Sequence, residues 1–187
     1  MAAPMIGRLE VVTLEDLRGV ASGYVSTEKY QMCVRARGND GWYCELKPTV
    51  LSPPYVKLFR HEEFDLVRLN AAIASGTSIG AWDGGLLVGI AITERMEWNR
   101  NLVLWEFHVA EPYRRHGIGR EMMERVIRSA RALGVRSISA ETQNTNMPAI
   151  RFYRSCGFTI QGIDLSLYAD DQAGEDREVA LFMRRFV

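Results

Sequence analysis

The sequence predicts a single α/β domain, a mixed central sheet flanked by helices. Three observations carry that expectation. The apolar runs "TSIGAWDG", "GLLVGIAITERMEW" and "NLVLWEFHVA" succeed one another across the turns "WDGG" and "WNRN", as strands of an antiparallel meander do. Beyond them strand-like and helix-like segments alternate, the mark of strands packed against helices. And 187 residues, 47% of them hydrophobic, suffice for one buried core, with no repeat or linker to divide it.

The elements follow in chain order. "LEVVTLEDLRGVASGY" reads as a short strand, then a helix capped by Thr13 with acidic residues in its first turn. "EKYQMCVRARGNDGWYCELKPTV" reads as two β-rich runs about the hairpin turn "RGNDG", and "LSPPYVKLF" as a Pro-containing loop. In "HEEFDLVRLNAAIASG" the residues Phe64, Val67, Leu69, Ala71 and Ala72 recur at helical spacing, and Gly76 ends the helix. After the meander, "GIGREMMERVIRSARALGV" places Ile118, Met122, Val126, Ile127, Ala130 and Leu133 on one helical face opposite Arg and Glu. "VRSISAET" is a strand, "MPAIRFYRSCG" a short helix with Pro early and Gly after it, "FTIQGIDLSLY" a strand, "DDQAGEDRE" an exposed acidic loop and "VALFMRRFV" a final strand.

Bulk properties exclude several classes of function. Lys plus Arg and Asp plus Glu number 23 each, so nothing global favours nucleic acid or an anionic membrane, and any anion site must be local. "MAAPMIGRLE" lacks the charged start and apolar core of a signal peptide, and runs such as "GGLLVGIAI" are too short to span a bilayer. The three cysteines, Cys33, Cys44 and Cys156, form no CxxC pair, and no metal-ligand spacing is present. A reduced, cytoplasmic protein without a metal is the expectation.

Against this neutral background "YRRHGIGREMM" stands out, with Arg114, Arg115, His116 and Arg120 around Gly117 and Gly119 at the start of a helix. A helix N-terminus offers unpaired N–H groups and partial positive charge, and glycine lets an anion approach the backbone. No GK[ST] follows, which excludes a P-loop, and the spacing and preceding meander do not suit a dinucleotide fold. Read alone, the loop fits a pyrophosphate and an ordinary basic turn equally well.

A second segment, "NTNMPAIRFYRSCGF", lies one helix and one strand downstream. Together the two resemble the GNAT superfamily of acetyl-CoA-dependent N-acyltransferases. Its loop pattern, [RQ]-x-x-G-x-[GA], is met by Arg114, Gly117 and Gly119, and its later signature by Asn146, Ala149, Phe152, Tyr153, Gly157 and Phe158. The resemblance runs from about Ser78 to the end, and implies a single GNAT-type domain: an N-terminal meander, splayed middle strands, acceptor-side elements over 1–77 and a cofactor-binding core over 78–187. Within the family, "ETQNTNMPAIRFYRSCGFTIQGIDLSLY" and, more loosely, "YVSTEKY" look most like streptothricin acetyltransferases.

The resemblance implies roles residue by residue. Acetyl-CoA would enter a gap between the strand ending at Val109 and the strand ending at Thr142. Backbone groups of Phe107, His108 and Val109 would bond the pantetheine, and one N–H would stabilise an oxyanion. The stretch Arg114, Arg115, His116, Gly117, Ile118, Gly119 and Arg120 would cradle the pyrophosphate, and Asn146 would bond the pantetheine arm. Tyr153 matches the family's general acid, placed to protonate the departing thiolate.

Other candidates come from the residues themselves. Glu106, the one carboxylate inside "LVLWEFHV", is costly there unless paired or used, and could take the acceptor's proton or hold a cation. Glu141 is a second candidate, as base, substrate contact or structural acceptor. His108 reads as a core residue with no triad partner, Cys156 as a buried small residue, and Phe152 as core. Trp82, Trp98 and Trp105 read as core or rim at strand positions. Asp83, Glu94, Glu97 and the acidic loop would suit a cationic acceptor if they lay near the pocket.

The expected function is transfer of an acetyl group from acetyl-CoA directly to a small-molecule primary amine, most specifically the β-lysine amine of streptothricin. The partners are that amine and, as is common in the family, a second copy of the chain; nucleic acid and membrane are not expected. Two further readings fit the same residues. One is a GNAT acting on an aminoglycoside, a polyamine or a protein N-terminus, and the other is a non-catalytic acetyl-CoA-binding domain.

Overall fold

The computed structural model describes residues 4–37, 41–168 and 178–187. Its strands and helices divide into two compact units, one of residues 1–23, 58–140 and 184–187, the other of 24–57 and 141–183.

In the first unit, β1 (Met5–Arg8), β4 (Ile79–Asp83), β5 (Leu86–Met96), β6 (Asn101–Val109) and β7 (Ser137–Gln143) lie in the order β1-β4-β5-β6-β7. The pairs are antiparallel up to β6, and β6 with β7 is parallel, so the sheet is mixed. The meander is therefore as expected. Helix α1 (Leu14–Val20) carries the expected Thr13 cap as a full capping box with Asp16. It and α2 (Glu63–Ile73) pack on β5, burying Leu17, Val20, Leu69, Ala72 and Ile73 with Leu87, Ile90 and Ile92. In α2 the apolar face is rotated from the expected one: Phe64 and Val67 are 68% and 73% exposed, because Leu69, Ala72 and Ile73 turn inward instead.

Helix α3 (Ile118–Ala132) packs against β4, β5 and β6 and buries Ile118, Met122, Val126, Ile127 and Ala130, the face read from the sequence. Its approach depends on a missing side chain. A Cβ on Gly89 of β5 would lie 2.9 Å from Met122 Sδ, so a larger residue there requires the Met122 side chain to shift.

In the second unit, β2 (Gly23–Arg37) and β3 (Gly41–Leu58) form a two-stranded ribbon, while β8 (Thr159–Asp164) and β9 (Ala180–Phe186) follow β7 in the order β7-β9-β8. Of the segment "LSPPYVKLF", expected as a loop, all but Phe59 belongs instead to β3. A two-stranded ribbon leaves each strand an open edge, where proline's missing N–H breaks no ladder. The hairpin turn residues 38–40 lie outside the described residues. Helix α4 (Met147–Ser155) forms where expected, capped by Asn146.

The centre of this unit is Asn144, which has no exposed surface. Its Nδ2 donates to the Tyr30 carbonyl at 2.8 Å, its Oδ1 accepts from Val179 N–H at 3.0 Å, and its own N–H donates to the Val179 carbonyl at 3.0 Å. One side chain thus ties β2 to the segment entering β9. Replacing Asn144 with Ala strands a buried carbonyl and a buried N–H, so the expected loss is about 2–4 kcal/mol. Urea denaturation checks this, with a midpoint unchanged from the wild type as the contrary result.

Candidate active site

Strand β6 shows how a carboxylate is carried in an apolar strand. Against β5, Glu106 pairs with Ile92 but Leu104 pairs with Thr93, which leaves Trp105 as the extra residue of a β-bulge. Directly opposed residues of an antiparallel pair share a face. Glu106 and His108 therefore lie on the face of Ile92 and Ile90, whereas Leu104 shares the face of Thr93. Without the bulge, strict alternation would have put Glu106 on the same side as Leu104. The bulge is invisible to a reading by period.

On that face His108 Nε2 donates to Glu106 Oε2 at 2.7 Å, with 17% and 22% of the two side chains exposed. His108, expected as a core residue without a triad partner, is paired with Glu106. The spacing of two was the available signal, since it sets both on one side of a strand. The Phe59 ring meets the imidazole edge-on at 5.5 Å. On its other side β6 pairs in parallel with β7 from Asn101–Ser137 to Leu104–Ala140, while β6 itself continues to Val109.

Beyond Val109 the chain makes a 3-10 turn over Glu111–Tyr113 and then the glycine loop. Arg115 and Gly117 both adopt positive φ, 66° and 87°, so the turn curls its N–H groups inward before α3 begins. Gly117 is the N-cap of α3, and it supplies no side chain to compete for the first-turn N–H groups. Arg115, His116 and Arg120 are exposed around it, Gly119 is half-buried and Ile118 is buried. Arg114 behaves differently from its neighbours. Its Nε donates to the Val109 carbonyl at 2.8 Å and its Nη2 to the Gly23 carbonyl at 3.3 Å, which braces the end of β6. Tyr113 donates to Asp83 Oδ2 at 2.8 Å, and that bond raises its pKa. Free donors, positive side chains and a helix N-terminus in one turn fit a pyrophosphate.

The second unit holds Glu141, Asn146 and Tyr153. Asn146 Oδ1 accepts from Ala149 N–H at 3.2 Å. Tyr153 is 7% exposed and packs on Phe152 and Phe158, with ring centroids 5.8 and 5.5 Å away. Tyr153 is buried and Phe152, expected as core, is half-buried, because α4 turns Met147, Ile150 and Tyr153 inward at helical spacing. Cys156 is buried, as expected of a small packing residue.

Glu141 accepts a hydrogen bond from Tyr168. Near it in the network, Glu178 Oε1 accepts from Tyr55 at 2.8 Å and from Thr145 at 3.0 Å, and Tyr24 hydrogen-bonds Thr145 at 2.7 Å. The Lys57 ammonium sits on Glu178 Oε2 and 5.3 Å from the centre of the Tyr168 ring. Burial raises the pKa of Tyr24 and of Tyr168, and the hydrogen bond to Glu141 adds to the second, so both hydroxyls keep their protons. Of this group the sequence reading found Glu141 alone. The others are scattered over β2, β3 and the segments flanking β8 and β9: Tyr24 heads "YVSTEKY", Tyr168 closes the stretch that begins at Glu141, and Glu178 ends the acidic loop, but none of them stood out by itself.

The remaining acidic candidates are taken up structurally. Asp83 holds Tyr113, Glu94 accepts from Trp105 Nε1 at 2.8 Å, and Glu97 pairs with Arg95 at 2.9 Å. Trp98 lies on a 3-10 turn and not a strand, 86% exposed. Trp105, the bulged residue, stacks with Arg68 at 5.0 Å. Residues 170–177 of the acidic loop lie outside the described residues.

The Acetyltransferase (GNAT) family pattern matches residues 42–158, and the chain belongs to that family. It is an acetyl-CoA-dependent N-acetyltransferase. It is 30% identical to the streptothricin acetyltransferase A of Bacillus subtilis (strain 168) over 131 residues, 70% of this chain and 73% of the relative. The streptothricin acetyltransferase of Escherichia coli is 34% identical over 89 residues, 48% of this chain and 51% of that one. The crystal structure of nourseothricin acetyltransferase superposes with a TM-score of 0.73 at 28% identity, covering 99% of both chains. A Bacillus anthracis structure in complex with acetyl coenzyme A shares the fold, with a TM-score of 0.70 at 20% identity over 99% of this chain and 98% of that one. Among the described residues, no helix is long and apolar enough to cross a membrane.

Proposed function

We propose that the enzyme acetylates the β-lysine amine of streptothricin and so inactivates the antibiotic. The observation that carries this reading is the second unit's hydrogen-bonded group of two carboxylates, Glu141 and Glu178, and three tyrosines, Tyr24, Tyr55 and Tyr168, with the Lys57 ammonium on Glu178. Carboxylates and aromatic faces hold ammonium and guanidinium groups. Streptothricin carries both amines and a guanidine-like head, and relatives bearing that substrate's name support the same acceptor.

The roles follow from the chemistry. The N–H groups from Arg115 to Arg120, with the Arg115, His116 and Arg120 side chains, hold the pyrophosphate of acetyl-CoA. Arg114 keeps the Val109 carbonyl in place beside the pantetheine-binding backbone of Phe107, His108 and Val109, and Asn146 offers its Nδ2 to the same arm. Glu106 takes a proton from the acceptor amine as its nitrogen attacks the thioester carbon, and Tyr153 gives one to the sulfur as the C–S bond breaks. The transfer is direct, with no acylated residue. Since acetyl-CoA is a cytoplasmic metabolite, the reading places the enzyme there.

Glu178→Gln and Tyr55→Phe test the acceptor. Each is expected to raise KM for streptothricin about 10-fold or more, the scale of a lost charge-assisted hydrogen bond, with acetyl-CoA affinity unchanged. A folded variant with an unchanged streptothricin KM contradicts the assignment.

A further inference from the structure

We propose that His108 is a positioning residue for Glu106, so that the two work as one unit in removing the acceptor's proton. The inference rests on the reading of Glu106 as base. A glutamate on a strand has three side-chain torsions, and its carboxylate can reach any of several points over the sheet. Here one oxygen is held: His108 Nε2 donates to Oε2 at 2.7 Å. The imidazole is held in turn by the Phe59 ring against its edge, 5.5 Å between centroids and 71° between planes. Phe59 is anchored by its own N–H, which donates to the Ser22 carbonyl at 3.3 Å, and it packs on the core beneath α1 and α2.

The free atoms point to use as well as to stability. Glu106 Oε1 has no partner among the described residues, and neither has His108 Nδ1. A pair kept only for packing has no need of a partly exposed carboxylate with one oxygen left open. Because the bulge at Trp105 carries both residues to the same face, the strand presents them together. Holding Oε2 leaves Oε1 as the atom that accepts the amine proton. The N–C bond forms as that proton reaches Oε1, and the C–S bond breaks as the sulfur takes the Tyr153 proton. A donor on Oε2 also stops the carboxylate from rotating away between turnovers, the kind of constraint on which positioned bases depend.

The experiment is a double-mutant cycle on full-length protein, with CoA release followed on streptothricin and with acetyl-CoA affinity and melting temperature measured for every variant. His108→Leu is expected to lower kcat at least 30-fold with KM for acetyl-CoA within twofold. His108→Gln, whose amide N–H reaches the Nε2 position, is expected to restore kcat to within about fivefold of wild type. In the Glu106→Gln background His108→Leu is expected to cost less than threefold, because there is no carboxylate left to hold. A folded His108→Leu enzyme with near-wild-type kcat overturns the proposal, as do losses that multiply in the double variant. If Glu106→Gln is itself fully active, the base assignment has failed. If Glu106→Gln is impaired while His108→Leu is normal, only the present inference has failed. Should His108→Leu fail to fold, the Gln variant decides alone: a 30-fold loss in its kcat overturns the proposal.

Discussion

Replacing Tyr153 with Phe lowers kcat about a hundredfold while leaving acetyl-CoA affinity within twofold. The size is that of losing one general acid, at the lower end because water can still protonate the thiolate slowly. The change is confined to one atom. Tyr153 is 7% exposed, and its ring is packed against Phe152 and Phe158, contacts that phenylalanine keeps. A fall in stability large enough to mimic a catalytic defect would register in the melting temperature, so both are measured together. An unchanged kcat removes Tyr153 from the acid role.

Glu106→Gln has an expected effect of similar size. Glutamine keeps the shape and can still bond His108, but it cannot take a proton, so kcat on the amine falls about 10²-fold or more. The split between kcat and KM separates two roles that the sequence left open. A base lost costs kcat, whereas a cation-holding carboxylate lost raises KM with kcat intact. We expect the first. A rise in KM alone would move Glu106 from the chemistry to acceptor binding.

How far the site could be read in the sequence depended on how locally each part is encoded. The glycine loop and the Asn146 cap were legible because their residues are neighbours in the chain and their geometry follows from glycine and capping chemistry alone. The amphipathic face of α3 was legible for the same reason, fifteen residues at one period. Arg114 was legible as a position but not as a contact, since its partner at Gly23 lies 91 residues away. The Glu106–His108 pair sat between. Its spacing was visible, but its face was set by a bulge whose extra residue, Trp105, looks in sequence like any other strand position. Of the group of Tyr24, Tyr55, Tyr168, Glu141 and Glu178 only Glu141 was legible as a candidate, because the members are brought together only by the second unit's folding. Two local misreadings have equally physical causes. The prolines of "LSPPYVKLF" read as a loop because an open ribbon edge cannot be foreseen, and Phe64 and Val67 read as core because helical spacing fixes a face but not which way it turns.

The most direct measurement of the central claim is CoA release by the purified enzyme with acetyl-CoA and a panel of amines: streptothricin, an aminoglycoside, a polyamine and a peptide N-terminus. The product is identified by mass spectrometry and tested for antibiotic activity. Turnover on streptothricin is expected far above the rest, with one acetyl group on the β-lysine amine and a product that no longer kills bacteria. Turnover confined to another amine, or tight acetyl-CoA binding with no turnover on any of them, would contradict the claim.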